Sequence, residues 1–276
     1  MSDSSAIEIG TVVAERYEIV AALAEGSMGD VYLAHDREED VDVAVKVLRA
    51  EFMANDRLRR RFRREAAVLK ALSEPSIVRL IDFHFDRRGS VFLVTEFCEG
   101  PTLAERIARA PLDSTDATRL LHAMANALNA AHAHGVFHGD LKPANILWTE
   151  PTPRLIDFSA SKVLGLDRLT ATGEIAGTPA YMAPEMLAGK GDVDGRIDVY
   201  GLGVCLYEAL SGQQPFRDAH VGRLLTKIDA SDYLPLDALV DVPKSLAAVV
   251  HHAMHREPAT RYQTVGALRA AWDVAA

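Results

Sequence analysis

The first third of the chain alternates apolar and polar residues with the period of two that is typical of strands. Short β-branched or aromatic runs, separated by Gly, Asp or Pro, predict strands at Tyr17–Leu23, Val31–His35, Val41–Val47, Val78–Phe83 and Val91–Phe97. One arginine-rich segment, Arg57 to Leu72, interrupts them and places apolar residues at helical spacing. The pattern therefore predicts a small lobe with an antiparallel β-sheet and one main helix.

The rest of the chain changes to helical periodicity. From Asp113 to His134 one apolar stripe recurs every three or four residues, and Asp113 is a candidate N-cap. Further helices are predicted at Gly195–Ser211, Lys244–Met254 and Thr264–Ala275. We therefore predict an α+β fold with an N-terminal extension at residues 1–16, a small lobe at 17–97, a hinge at 96–101 and a larger, mainly helical lobe at 102–275.

Composition narrows the class of protein. The 276 residues are 49% hydrophobic and 25% charged, which is enough apolar material for a sizeable core. A formal charge of −9 argues against a nucleic-acid partner or an anionic membrane surface. Cys98 and Cys205 are too few for a disulfide framework, so a reduced, cytoplasmic setting is expected. No apolar run approaches the roughly 20 residues of a membrane span, and none is expected within this chain.

Candidate chemistry is concentrated between His138 and Ser159. The chain reads His-Gly-Asp-Leu-Lys-Pro-Ala-Asn up to Asn145, and Asp-Phe-Ser begins at Asp157. An acid, an amine, an amide and a second acid thus lie on loops beside short apolar runs. Such a set suits phosphoryl transfer from a magnesium-bound nucleotide, where catalysis is mostly positioning and charge neutralisation.

A second candidate set lies upstream. Gly26 and Gly29 fall in a hairpin between two predicted strands, where glycine lets the backbone approach a phosphate, although an ordinary tight turn has the same composition. Strand alternation puts Ala44 and Lys46 on one face and the neighbouring valines on the other. Glu65 in the predicted helix is a candidate ion partner of Lys46, but it could also pair with adjacent arginines.

These motifs, in this order, resemble the eukaryotic-like serine/threonine protein kinase family, and particularly its bacterial members, from Tyr17 to Trp272. The resemblance implies a two-lobed protein-kinase-like fold. It also implies transfer of the γ-phosphate of ATP to Ser/Thr hydroxyls of protein substrates, the kinase itself included. Mg²⁺ is the implied metal, with Mn²⁺ as a substitute.

For the large lobe, the resemblance implies that Asp140 orients the substrate hydroxyl and accepts its proton, while Lys142 steadies the γ-phosphate. Asn145 and Asp157 would hold magnesium through oxygen ligands. Asp198 would anchor the catalytic loop through backbone N–H groups.

For the small lobe, the resemblance implies that Lys46, paired with Glu65, positions the α- and β-phosphates beneath the loop that carries Gly26 and Gly29. The implied adenine contacts are a gatekeeper, two hinge residues and three apolar side chains: Thr95, the backbones of Glu96 and Cys98, and Val31, Ala44 and Leu147.

The segment Gly177–Glu185 resembles the substrate-docking segment of the family, including its Ala-Pro-Glu ending. Thr178 is expected to hydrogen-bond near the catalytic aspartate and lysine. Glu185 is expected to form a buried, structural ion pair with Arg261.

Three positions depart from the family pattern: Ala24 and Ser159 each replace a Gly, and Gly139 replaces the Arg before the catalytic aspartate. Gly139 matters most, because in kinases with Arg there a phosphate on the activation segment pairs with it. Thr170 and Thr172 are the candidate autophosphorylation sites of that segment. We therefore expect activity that depends weakly on their phosphorylation.

Two other interpretations remain open. Small-molecule phosphotransferases that resemble aminoglycoside and choline kinases share the fold and carry His-Gly-Asp, but they usually lack a lysine at position 142 and the docking segment. The second alternative is a nucleotide-binding pseudokinase scaffold. The retained Lys46, Asp140, Asn145 and Asp157 argue against it. A homodimer through the small lobe is also left open.

Overall fold

The computed structural model describes residues 7–25, 29–48, 63, 66–67, 69–85, 91–157, 179–188 and 193–276. The chain divides into two compact units. Unit 1 comprises Met1–Ser73 and Val78–Glu99, and unit 2 comprises Glu74–Ile77 and Gly100–Ala276.

Unit 1 contains an antiparallel sheet of six strands: β1 Val12–Val13, β2 Tyr17–Ala24, β3 Gly29–Asp36, β4 Val41–Leu48, β5 Leu80–Phe85 and β6 Val91–Glu96. Their order across the sheet is β1-β2-β3-β4-β6-β5. The five predicted strands are confirmed, with small shifts at their ends. The two-residue β1 is too short to produce a recognisable alternation.

Alternation along β4 separates the two faces of this sheet. Val43 and Val45 are fully buried in the core of the unit, whereas Ala44 and Lys46 are half-buried on the opposite face. This core also contains residues of β1, β2, β3 and β6: Val13, Tyr17, Ile19, Tyr32, Ala34, Phe92 and Val94. The predicted face assignment of Ala44 and Lys46 is confirmed.

The predicted helix at Arg57 to Leu72 lies largely outside the described residues. Its described positions, 63, 66–67 and 69–71, are helical. Ala66 and Leu69 are buried, as the apolar spacing predicts.

Unit 2 is mainly helical. Its helices are α1 Leu103–Arg109, α2 Ser114–His132, α3 Pro184–Leu187, α4 Arg196–Ser211, α5 Val221–Ala230, α6 Lys244–Ala253 and α7 Val265–Ala275. A hairpin of β7 Ile146–Leu147 and β8 Arg154–Leu155 completes the elements that position the site. Among the described residues, no helix is long and apolar enough to cross a bilayer.

Helices α2, α4, α6 and α7 of unit 2 match the sequence pattern. The side chain of Asp113 accepts the backbone N–H of Asp116, so the predicted N-cap of α2 is confirmed. The pattern did not predict α1 and α5. Each buries only two side chains, Leu103 and Ile107 in α1 and Leu224 and Ile228 in α5.

Helix α4 is buried on nearly all sides, from Ile197 to Leu210. A helix that is apolar around its whole circumference belongs to a protein interior. Two glycines allow close packing there: a Cβ at Gly201 would lie 3.1 Å from Leu141 Cβ, and a Cβ at Gly203 would lie 2.9 Å from Ala253 Cβ. Helix α4 therefore lies in the interior of unit 2, where it packs against α1, α2, α6 and α7.

The same Gly-to-Ala change should have opposite effects in two helices. Gly203→Ala should reduce the free energy of unfolding by about 1–3 kcal/mol, because α4 and α6 would have to separate to admit the methyl group. Gly222→Ala in α5 meets nothing within 4 Å and should raise stability by up to about 1 kcal/mol through helix propensity. Urea denaturation of both variants measures the difference. Equal effects would contradict the packing inferred for α4.

Candidate active site

The catalytic-loop residues lie between α2 and β7, and a 3₁₀ turn at Pro143–Asn145 ends the loop. The ammonium of Lys142 lies 2.9 Å from Asp140 Oδ2. The side-chain nitrogen of Asn145 donates to the backbone oxygen of Asp140 at 2.8 Å and to its Oδ2 at 3.2 Å. The structure thus brings the predicted acid, amine and amide together, and these two bonds do not use the Asn145 side-chain oxygen.

Asp157 follows β8, and the preceding residue, Ile156, hydrogen-bonds to the catalytic loop. Ile156 N–H donates to the backbone oxygen of Asn145 at 2.9 Å. Asp157 itself has φ +65°, in the left-handed region that non-glycine residues rarely adopt. Such backbone strain is typical of functional positions. Asp157 and Asn145 offer a carboxylate and an amide oxygen, which are the donor types that Mg²⁺ takes from proteins.

His138 connects the catalytic loop to the segment of Asp157. Its ring is fully buried, Nδ1 accepts the backbone N–H of Asp140 at 3.2 Å, and Nε2 lies 3.1 Å from the backbone oxygen of Ile156. These two contacts match the tautomer with a proton on Nε2, because Nδ1 then accepts and Nε2 donates to the Ile156 oxygen. No role for His138 was predicted from the sequence.

A carboxylate of α4 anchors the loop. Asp198 is fully buried, and it accepts the backbone N–H of His138 at 2.8 Å and of Gly139 at 2.7 Å. His132, at the end of α2, places Nε2 2.7 Å from Asp198 Oδ2. His132 lies far from Asp198 in sequence, and no local pattern indicated this contact.

The described part of the docking segment is held by a buried ion pair. Arg261 donates to both carboxylate oxygens of Glu185 at 2.7 Å and is only 2% exposed. Its guanidinium also stacks over the Tyr200 ring, 4.8 Å from the centroid, and donates to the backbone oxygens of Arg196, His255 and Arg256. These contacts make Arg261 a structural residue.

A second contact of the docking segment was not predicted. Tyr181 donates its hydroxyl to Glu208 of α4 at 2.6 Å and accepts Gln214 Nε2 at 2.8 Å. Burial raises the pKa of both the Tyr181 hydroxyl and the Glu208 carboxyl. The segment is therefore joined to the same helix as the catalytic loop.

In unit 1 the predicted nucleotide residues share one face of the sheet. Val31 lies opposite Lys46 in the β3–β4 register, and Ala44 lies opposite Thr95 in the β4–β6 register. All four side chains are half-buried. At the end of β6, Glu96 exchanges hydrogen bonds with the backbone of Arg79.

Two other predicted adenine residues lie one in each unit. Cys98 is half-buried in unit 1. Leu147 belongs to unit 2, where it is half-buried on β7 and pairs with Arg154.

Gly29 is needed by the sheet itself. It has φ +153°, and a Cβ there would collide with the backbone oxygen of Val47. This requirement holds whether or not a phosphate binds nearby. The other predicted residues lie outside the described part of the chain: Gly26, Glu65, Ser159, Thr170, Thr172 and Thr178.

Comparison with known proteins identifies the family. The protein kinase domain family matches residues 17–272. The chain belongs to this family. The solved kinase domain of PknI from Mycobacterium tuberculosis superposes with a TM-score of 0.79, at 29% identity and with 98% of both chains covered. The predicted two-lobed protein-kinase-like fold is thereby confirmed.

Two of the curated relatives are mycobacterial kinases. The serine/threonine-protein kinase PknB of Mycolicibacterium smegmatis is 35% identical over 266 residues, which cover 94% of this kinase domain and 42% of the relative. The serine/threonine-protein kinase PknH of Mycobacterium tuberculosis is 35% identical over 272 residues, which cover 97% and 43%. The chain thus spans about two fifths of the length of these relatives.

Replacing the anchoring carboxylate of the kinase domain should be costly. In Asp198→Asn, either orientation of the amide leaves one of the two backbone N–H groups of the loop facing an NH₂ group. An unsatisfied buried donor costs about 1–3 kcal/mol, so we expect the Tm to fall by about 5 °C. Asp113→Asn is the control, because Asn is an equally good N-cap. Equal melting temperatures for both variants would contradict the role of Asp198.

Proposed function

We propose that this kinase domain transfers the γ-phosphate of Mg-ATP to Ser/Thr hydroxyls of proteins, itself included. The contact set of Asp140 with Lys142 and Asn145 carries the proposal, because an acid, a cation and an amide that would hold a metal meet at one point. The family match and the serine/threonine-protein kinase relatives support it.

In the proposed reaction the substrate hydroxyl attacks the γ-phosphorus, the bond to the β–γ bridging oxygen breaks, and ADP leaves. Asp140 would orient the hydroxyl and accept its proton, and the two bonds to Oδ2 hold its carboxylate in one orientation. Lys142 would add positive charge beside the attacking oxygen, where phosphate charge develops. Magnesium, held by Asn145 and Asp157, would neutralise phosphate charge when bound, and Mn²⁺ would substitute.

The face of unit 1 that carries Val31, Ala44 and Thr95 would take the adenine ring, together with the backbones of Glu96 and Cys98. Lys46 on the same face would hold the α- and β-phosphates. Leu147 of unit 2 would contribute an apolar contact to adenine. The pairing of Lys46 with Glu65, and the phosphate contacts of the hairpin with Gly26 and Gly29, are parts of the same proposal.

Protein substrates are favoured over small acceptors by two features. Lys142 is present beside Asp140, and the Glu185–Arg261 pair holds an Ala-Pro-Glu segment of the type that docks protein substrates. Thr178, in that segment, would hydrogen-bond near Asp140. A homodimer through the small lobe is a proposal about the whole protein, and so is its choice of protein substrates.

The catalytic assignment predicts which substitutions abolish phosphorylation. With labelled ATP, Lys46→Met, Asp140→Asn and Asp157→Ala should each lower phosphate transfer at least about 100-fold, because each removes a preorganised charge. Lys70→Met is the matched control, since Lys70 pairs with Asp82 at the surface and should retain activity. Mass spectrometry should locate phosphate on Ser or Thr.

Two other outcomes of this assay would contradict the proposal and favour a different function. Label in a small acceptor, with none in protein, would favour a small-molecule phosphotransferase. ATP binding without transfer would favour a pseudokinase.

Gly139 leads to a prediction about regulation. Since it has no side chain, a phosphate on Thr170 or Thr172 has no arginine partner at this position. The double variant Thr170→Ala/Thr172→Ala should therefore keep most of the wild-type kcat, and so should the exposed-site control Thr226→Ala. Initial rates on a protein substrate, with phosphatase-treated wild type in parallel, provide the measurement. If the double variant lost most of its activity while Thr226→Ala kept it, the expected weak dependence of activity on phosphorylation would be wrong.

A further inference from the structure

We propose that Arg119 of α2 is a positioning residue for nucleotide binding. By stacking on Trp148 it fixes the β7–β8 hairpin, and with it Leu147, the proposed adenine contact of unit 2. The inference deepens the proposed kinase function and rests on it. It gives a role to two side chains, those of Arg119 and Trp148, that no motif in the sequence indicated.

The β7–β8 hairpin is too short to hold its own position, because each of its strands has only two residues. On its other edge, β7 meets the segment that precedes α1. Thr102 forms a bridge with Leu147, and the backbone N–H of Trp148 donates to the backbone oxygen of Pro101 at 2.8 Å. The residues that directly follow Leu147 therefore help to decide how firmly it is held.

Arg119 contacts those residues from α2. Its guanidinium carbon lies 4.6 Å from the centre of the Trp148 ring, within the range of a cation–π contact. Nη2 of the same guanidinium donates to the backbone oxygen of Thr149 at 2.8 Å and lies 2.9 Å from Glu150 Oε1. One side chain thus contacts three successive residues after Leu147.

The cation–π contact matters more than the ion pair in this set. The side chain of Glu150 is 76% exposed, and an ion pair with an exposed carboxylate contributes little because water screens it. The Nε of Arg119, in contrast, is buried, and the described residues offer it no hydrogen-bond acceptor. The Trp148 ring therefore compensates a cation that is partly withdrawn from water.

Helix α2 is a firm support for this arginine. The residues near Arg119 that are fully buried in unit 2 are Ala117, Leu120 and Leu121. Closely packed residues of this kind leave a helix little freedom to shift. Arg119 thus attaches the end of β7 to the core of unit 2.

Loss of this attachment should weaken nucleotide binding more than the transfer step. Leu147 would pack less closely on adenine once the end of β7 can shift, and that contact is the same before and during transfer. Interactions that are uniform between the ground state and the transition state affect KM and leave kcat unchanged. The contacts of Asp140 with Lys142 and Asn145 do not involve Arg119.

The test is a double-mutant cycle between Arg119 and Trp148. We expect Arg119→Met and Trp148→Leu each to raise the KM for ATP about threefold to tenfold and to keep kcat within about twofold of the wild type. The double variant should be no worse than the poorer single variant, because both substitutions remove the same contact. Arg119→Lys keeps the charge but lacks the planar guanidinium, so its KM should be intermediate.

Arg269→Met is the matched control. Arg269 also bonds to α2, through Asn126 Oδ1 at 2.9 Å, and it pairs with Asp273 of its own helix. Removing it takes an arginine from the surface of α2 without touching the contacts of Trp148, so the KM for ATP should stay at the wild-type value. A calorimetric Kd for Mg-ADP, measured on every variant, repeats the series without turnover.

Three results would overturn the proposal: an unchanged KM and Kd in Arg119→Met, an equal rise in Arg269→Met, or a double variant whose loss is the product of the two single losses. If Arg119→Met does not fold, Arg119→Lys and Trp148→Leu are judged by the same criteria. A wild type that binds Mg-ADP but transfers no phosphate would refute the proposed function alone, and the Kd series would then decide this inference. A wild type that binds no nucleotide would refute both.

Discussion

The buried carboxylate of Asp198 is the constraint on which unit 2 depends. A fully buried charge is costly unless it is compensated, and here two backbone N–H groups and the His132 ring supply the compensation. Those N–H groups belong to the catalytic loop. Folding of unit 2 around α4 therefore requires the loop to adopt this one geometry, and the placement of Asp140 follows from the stability of the helical core.

The same helix also holds the docking segment. Glu208 accepts the hydroxyl of Tyr181, and the backbone oxygen of Arg196 accepts from Arg261, which in turn pairs with Glu185. Because α4 is packed on nearly all sides, it cannot shift without disturbing several other helices. The proposed catalytic and docking residues thus share one rigid support, which suits a reaction that depends mainly on positioning.

Sequence reasoning succeeded where the information is local. Strands β2 to β6 of unit 1 and helices α2, α4, α6 and α7 were predicted because their apolar positions recur over many residues. Asp140, Lys142 and Asn145 were found because a short motif places them together. His132 and Glu208 were missed, since each acts on a partner distant in the chain and sits in a sequence that an ordinary helix would also have. Only the packing of α4 reveals them.

The described departures from the family pattern have one physical feature in common. Ala24 lies in β2, paired with Val31, where extended backbone suits alanine and glycine would cost more entropy. Gly139 lies at φ +66°, where glycine is the residue without a penalty. At each position the residue fits the backbone that the structure shows. The His-Gly-Asp sequence, which by itself favours a small-molecule kinase, lies here in a chain that matches the protein kinase domain family over residues 17–272. Its glycine no longer counts against a protein kinase.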